Sequence, residues 1–222
     1  MPRSNVEPTV TRAAAASGAL GTGTGADAGT DAPRGYDLVV IGGSAGGLEV
    51  LNVLLAALPT RFAAAVMIVS HLPADSPSYL VPAIAHRCAL PVLEPDAGEL
   101  ILAGRVHVAP PGYHMLVEVD RTVALSTDAA VRFSRPSIDV LFESAAAVYG
   151  ERLLAILLSG ANDDGSYGLE RVRACGGTAW VQDPGSAGSP EMPRAAIERG
   201  AADAIYNPET LAKRLAALPT SL

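Results

Sequence analysis

Ser44 lies in Gly42-Gly43-Ser44-Ala45-Gly46, a G-x-S-x-G run that sets a serine hydroxyl between glycines. Glycine on both sides lets the backbone turn sharply and lets an acyl group approach without meeting a Cβ; the spacing suits an attacking serine when a buried strand precedes it and a helix follows. The first amides of that helix would stabilise an oxyanion. The same residues also suit a plain strand-to-helix turn with a serine N-cap, and this segment alone leaves both readings open. His71 follows Ser44 by 27 positions, and the pair Asp163-Asp164 closes Ser159-Gly160-Ala161-Asn162-Asp163-Asp164-Gly165. A histidine can take the serine proton, and a carboxylate can orient that histidine and hold the imidazolium that forms. On the plainer reading, His71 ends a strand and the two aspartates cap a helix at its positive end.

Other chemistries fit these residues less well. A Walker A loop needs Lys and then Ser or Thr after Gly47, where the chain has Leu48-Glu49. A dinucleotide fingerprint needs glycine in place of Ser44 and an acidic residue where Ser70-His71 ends the second apolar run. No two of His71, His86, His107 and His114 are spaced HxH or HxxxH, so no metal site is expected and no cofactor is called for.

The candidate residues meet only if the chain between them builds a parallel sheet. Asp37-Leu38-Val39-Val40-Ile41 and Ala64 to Ser70 are continuous apolar runs suited to strands buried on both faces. Between them Leu48, Leu51, Leu55 and Leu58 recur at helical spacing, which makes one βαβ unit. Right-handed connection puts both carboxyl ends on the same side, so Ser44 and His71 share a crevice. A helix from Ser78 to about Arg87 follows. Residues 91–126 are short, partly alternating runs between Gly and Pro turns, read as antiparallel strands or hairpins at a sheet edge. The helical period returns at Ile138, Leu141, Ala145 and Val148. Leu153 to Leu158 and Thr178 to Gln182 read as strands, and Tyr167 to Ala174, Arg194 to Arg199 and Leu211 to Leu218 as helices. The expected fold is α/β, a doubly wound, mainly parallel, Rossmann-like sheet flanked by helices, with an antiparallel edge hairpin.

Composition narrows the class further. Of 222 residues 49% are hydrophobic and 18% charged, mean hydropathy is +0.28, and no apolar run is long enough to span a bilayer, so a globular chain without a membrane segment is expected. A formal net charge of −7 disfavours nucleic acid and anionic membranes as partners. Cys88 and Cys175 form no CxxC or disulfide framework and no secretory leader is evident, which points to the cytoplasm. Residues 1–34, rich in Ala, Gly and Thr and without an aromatic, read as a disordered tail, with the domain over 35–222.

Six segments, in order, give the chain a resemblance to a known family. They are Ile41-Gly42-Gly43-Ser44-Ala45-Gly46-Gly47, Ser70-His71-Leu72-Pro73, Val108-Ala109-Pro110-Pro111-Gly112, Arg135-Pro136-Ser137-Ile138-Asp139, Leu158 to Gly165, and Gln182-Asp183 followed by Met192-Pro193-Arg194-Ala195-Ala196-Ile197. Over about residues 36–218 the chain resembles the catalytic domain of the CheB-type protein-glutamate methylesterases of chemotaxis. The resemblance implies hydrolysis of γ-glutamyl methyl esters on a methylated chemoreceptor or similar signalling protein, with Ser44 as nucleophile, His71 as base and Asp164, the aspartate directly before the glycine, as their partner. A catalytically weak or silent module that binds a receptor or histidine kinase is the alternative. Ala45 stands where similar proteins often carry Thr, and Ala161 where many carry Met. Residues 1–34 are too few for the receiver domain that usually precedes this domain, so control in cis is expected to be missing and a regulator acting in trans is possible.

Overall fold

Runs too apolar to leave either face in water build the main sheet. The computed structural model describes residues 35–71 and 79–219, so the readings of the 1–34 tail, of Leu72-Pro73 and of a helix start at Ser78 lie outside the described residues. β1 (Leu38–Gly43) and β7 (Leu153–Leu157) are buried along their whole length, and β2 (Ala65–Ser70) along all but its last residue. With β3 (Val92–Leu93), β4 (Val106–Val108), β8 (Thr178–Gln182) and β9 (Ala204–Tyr206) they pair in the order β3-β4-β2-β1-β7-β8-β9, parallel throughout. Successive side chains along a strand face opposite layers. Leu38, Val40, Ala155 and Leu157 share a core with α3 (Ile138–Tyr149), α4 (Ser166–Ala174) and α5 (Glu191–Glu198). Val39, Ile41, Leu154 and Ile156 share the other with α1 (Gly47–Ala56), α2 (Leu80–Ala85) and α6 (Pro208–Ala216). This is the doubly wound arrangement expected from the alternation of strand and helix.

Among the strands of the described residues, the antiparallel pair is β5 (His114–Val117) with β6 (Val123–Ser126), which form a two-stranded sheet of their own against α3, where the Val117 N–H donates to Ser144 Oγ at 3.2 Å. Val92–Leu93 and Val106–Val108, expected among the antiparallel pieces, instead pair parallel in the main sheet. The partial alternation of residues 105–108 misled because His107, polar by type, is fully buried opposite Met67. β9 was not anticipated; it is short and only partly buried, so it leaves little pattern. α6 begins at Pro208, ahead of the first apolar position Leu211, because proline suits the first helical turn and the Asn207 side chain accepts from the Thr210 N–H at 2.9 Å.

The order of strands positions the site. From β1 the chain moves outward to β2 and on to β3 at the edge, comes back to β4 between them, and then returns to β7 on the other side of β1. The crevice beyond the carboxyl ends of β1 and β7 is therefore the switch point where an open α/β sheet offers room for a ligand.

Candidate active site

Ser44 and His71 each stand one residue past a paired position, Gly43 with Ser70, at the carboxyl ends of adjacent strands. The His71 N–H donates to the Gly43 carbonyl at 3.3 Å, so two backbones about 4.8 Å apart run side by side up to these side chains. Ser44 is half-buried while Ala45 and Gly46 are exposed. Ser44 does not cap α1: the N-cap is Gly46, at φ 74°, and no side chain caps this helix. That backbone conformation favours glycine, and a Cβ there would meet Ser159 Oγ at 2.8 Å. The N-cap reading of Ser44 falls, and its hydroxyl is left for other use.

The turn carrying Ser44 is gripped by Ser159. The Ser44 N–H donates to the Ser159 carbonyl at 2.8 Å, and Ser159 Oγ donates to the Ala45 carbonyl at 2.7 Å while accepting from the Ser189 N–H at 2.8 Å. Ser159 is itself held, its N–H donating to Gln182 Oε1 at 2.9 Å. Among the described residues the N–H groups of Ala45 and Gly46 have no acceptor and stand at the exposed side of the turn.

The two adjacent aspartates go to different places. Asp164 is fully buried, and its Oδ2 lies 2.8 Å from His71 Nε2 and accepts from the Ile138 N–H at 2.8 Å. Its Oδ1 accepts from Ser137 Oγ and from the N–H groups of Asp139 and Gly165, each at 3.0 Å. The carboxylate thus sits on the N-terminus of α3, where free amides and the helix dipole favour negative charge. Neither aspartate caps α4, as the plainer reading had it: the N-cap is Gly165, at φ 88°, without a side-chain cap. Asp163, nearly half exposed, pairs with Arg132 Nη1 at 2.5 Å.

Burial alone would raise the pKa of Asp164, but the hydrogen bonds from His71 and from the backbone of Asp139 and Ile138 outweigh it, and its pKa is lowered. Asp139 behaves in the opposite way. Burial, reinforced by the nearby charge of Asp164, pushes its pKa up to about 6 against the Gly168 N–H and the Arg132 guanidinium. Arg132 Nε reaches Asp139 Oδ2 at 3.2 Å, so one guanidinium bridges Asp139 and Asp163 on either side of Asp164. No group of His, Cys, Asp and Glu able to hold a metal is found among the described residues.

A family model described as CheB methylesterase matches residues 39–215. The chain belongs to the CheB methylesterase family. It is 43% identical over 178 residues to a Leptospira interrogans protein provisionally named protein-glutamate methylesterase/protein-glutamine glutaminase, covering 80% of this chain and 92% of that one. It is 39% identical over 166 residues to the protein-glutamate methylesterase/protein-glutamine glutaminase 2 of Koribacter versatilis, covering 73% of this chain but only 46% of that longer one. The crystal structure of the Thermotoga maritima CheB methylesterase catalytic domain superposes with a TM-score of 0.78 at 28% identity, covering 82% of this chain and 98% of that domain.

In this CheB-type methylesterase chain, the site is shaped by several residues beyond Ser44, His71 and the Asp163-Asp164 pair. Ser137 and Asp139 supply donors to Asp164, Ser159 and Gln182 fix the Ser44 turn, and Arg132 ties the flanking carboxylates. His114, read from sequence as a structural residue of the hairpin region, accepts the Ser137 N–H on Nδ1 at 3.2 Å and pairs through Nε2 with the Ala129 carbonyl at 3.1 Å. It braces the start of the helix that holds Asp164. Ser137 and Asp139, Ser159, and Gln182 fall within three of the matching segments, which marked them without revealing their partners, whereas Arg132 and His114 lie outside all six and carried no signal in the sequence.

Proposed function

We propose that this CheB-family chain hydrolyses γ-glutamyl methyl esters on a chemoreceptor-type signalling protein of the cytoplasm, releasing methanol, with Ser44, His71 and Asp164 as its nucleophile, base and carboxylate. The observation that carries this reading is the contact of His71 Nε2 with Asp164 Oδ2 at 2.8 Å, beside a serine left uncapped at the end of the adjoining strand. A fully buried carboxylate with five donors is held ionised, which is the state needed to stabilise an imidazolium.

The reaction follows from that arrangement. Nε2 of His71 is committed to Asp164, so Nδ1 is the nitrogen that takes the Ser44 proton. Ser44 Oγ then bonds to the ester carbonyl carbon, and the carbonyl oxygen takes up the negative charge. The unpaired N–H groups of Ala45 and Gly46, on the exposed side of the turn, are the donors for that oxyanion. Collapse breaks the bond to the methoxy oxygen, which leaves as methanol with the proton from His71. Water, deprotonated by the same histidine, attacks the acyl-enzyme and returns Ser44 with a glutamate side chain as product. A glutamine amide would follow the same path with ammonia leaving, in line with the second activity in the relatives' names.

The test is methanol release from a methylated receptor fragment by the wild-type chain and by Ser44→Ala. Turnover is expected to fall by about three orders of magnitude or more in a variant that keeps its fold. Release by Ser44→Ala near the wild-type rate would contradict the mechanism, and a wild-type chain that binds the fragment but releases no methanol would favour the binding-module alternative.

A further inference from the structure

We infer that Phe133 is a docking residue for the substrate protein, seating an apolar side chain that flanks the esterified glutamate; this rests on the functional reading above. Val131 and Ser134 bond to each other in both directions, the Val131 N–H to the Ser134 carbonyl at 3.1 Å and the Ser134 N–H to the Val131 carbonyl at 2.8 Å. The two residues between them, Arg132 and Phe133, have φ of 48° and 62°. Such a tight primed turn is ordinarily built from Asn-Gly or Asp-Gly, because side chains with a Cβ resist positive φ and bulky ones resist it most. Here it carries an arginine and a phenylalanine, and the phenylalanine is fully exposed, at 105%.

A lone exposed apolar side chain is common on protein surfaces and needs no special account. Phe133 differs because the fold holds it in an unfavourable backbone conformation at the rim of the site. Arg132 anchors the turn to Asp139 and Asp163, whose backbones lie on either side of Asp164, and its guanidinium stacks over Tyr167 at 4.3 Å from the ring centre. The turn that carries Phe133 is therefore tied to the two aspartates that adjoin Asp164, one its chain neighbour and the other a backbone donor to its carboxylate, and does not drift with a free loop. Two of the nearby charges are already paired, Arg132 with Asp139 and Asp163, and Arg199, on the other contact of Tyr167, with Glu170, while Arg135 donates to the Thr127 and Asp128 carbonyls. The Tyr167 ring is engaged by the guanidinium groups of Arg132 and Arg199, whereas the Phe133 ring is left as exposed apolar surface.

The chemistry of the substrate calls for such a contact. A methyl ester offers a carbonyl and one methyl group, too little surface to distinguish one ester from another, so binding energy must come from parts of the substrate away from the reacting carbon. An apolar neighbour of the modified glutamate laid against Phe133 would supply it.

Phe133→Gly and Phe133→Leu test the inference on the methylated receptor fragment, with kcat, KM and Tm measured for each. Glycine relieves the positive φ, so Tm should be unchanged or higher. Its kcat/KM should fall about tenfold through KM, with kcat at saturation within about twofold of wild type. Leucine, which keeps both apolar bulk and the strained backbone, should stay within about threefold of wild type. A kcat/KM for Phe133→Gly within about twofold of wild type, a loss confined to kcat, or a loss in Phe133→Leu as large as in Phe133→Gly would overturn it. If the wild-type chain itself releases no methanol from the fragment, the functional reading fails and this inference with it.

Discussion

The turn after β1 and the turn after β7 are built alike and used in opposite ways. Both lead from a wholly buried strand into a helix through a glycine N-cap in the left-handed region, Gly46 at φ 74° and Gly165 at φ 88°, and neither has a side-chain cap. In the first, the polar residue stays half-buried, with exposed Ala45 and Gly46 beyond it. In the second, Asp164 turns inward and is taken up by the N-terminus of α3, a helix from another part of the chain. A strand-to-helix turn therefore does not decide by itself whether its polar residue faces a reactant or the interior. The deciding factor is whether a second helix start is aimed at it.

The largest effect should come from exchanging the roles of neighbours within the second turn. Asp164→Asn removes the charge facing His71 and is expected to lower kcat by about three to four orders of magnitude, whereas Asp163→Asn, which loses a partly exposed pair with Arg132, should stay within about fivefold. Methanol release by the two variants checks the ranking; the reverse order would move the carboxylate role by one residue.

A smaller loss should follow from loosening the helix start that receives Asp164. Ser137→Ala deletes the Oγ donor at 3.0 Å while leaving the Ile138 and Asp139 amides in place, and about a tenfold drop in kcat is expected, the scale of one hydrogen bond to a buried charge. An unchanged rate would mean that the backbone amides alone suffice to fix the carboxylate.

Asp139 supplies the mildest test, one of stability. Its folded pKa of about 6 lies above the ordinary carboxylate value, so between roughly pH 4 and 6 the native state binds more protons than the unfolded chain. Its ionisation therefore costs stability as pH rises through that window, and the cost is complete above about pH 6. Asp164 has the opposite sign: its lowered pKa contributes stability at neutral pH that is lost as pH falls through the acid range. Asp139→Asn should gain stability relative to wild type on going from about pH 4.5 to pH 7.5, read from urea midpoints at both values. A difference between variant and wild type that does not change with pH would contradict the raised pKa.

Much of this was legible in the residues. β1, β2, β7 and β8 are apolar runs buried on both faces, and α1 repeats leucine at helical spacing, so the parallel core and the carboxyl-end crevice followed from pattern alone. Asp164 was separated from Asp163 by its place before Gly165 in the family motif, not by any local physical signal. The grip of α3 on that carboxylate was not legible, because Ser137 and Asp164 lie 27 residues apart and no periodicity links a helix start to a distant loop. The Arg132-Phe133 turn was hidden for a different reason: it contradicts the turn chemistry by which such turns are read. β4 was misassigned because a buried histidine imitates the polar half of an alternating strand.

The most direct test of the account is to label the folded protein with a serine-directed phosphonofluoridate and locate the adduct by mass spectrometry. The account predicts one adduct per chain on the peptide carrying Ser44, none in Ser44→Ala, and labelling about a hundredfold slower or more in Asp164→Asn. An adduct on another residue, or labelling of Asp164→Asn at the wild-type rate, would contradict the claim that Asp164 acts through His71 on Ser44.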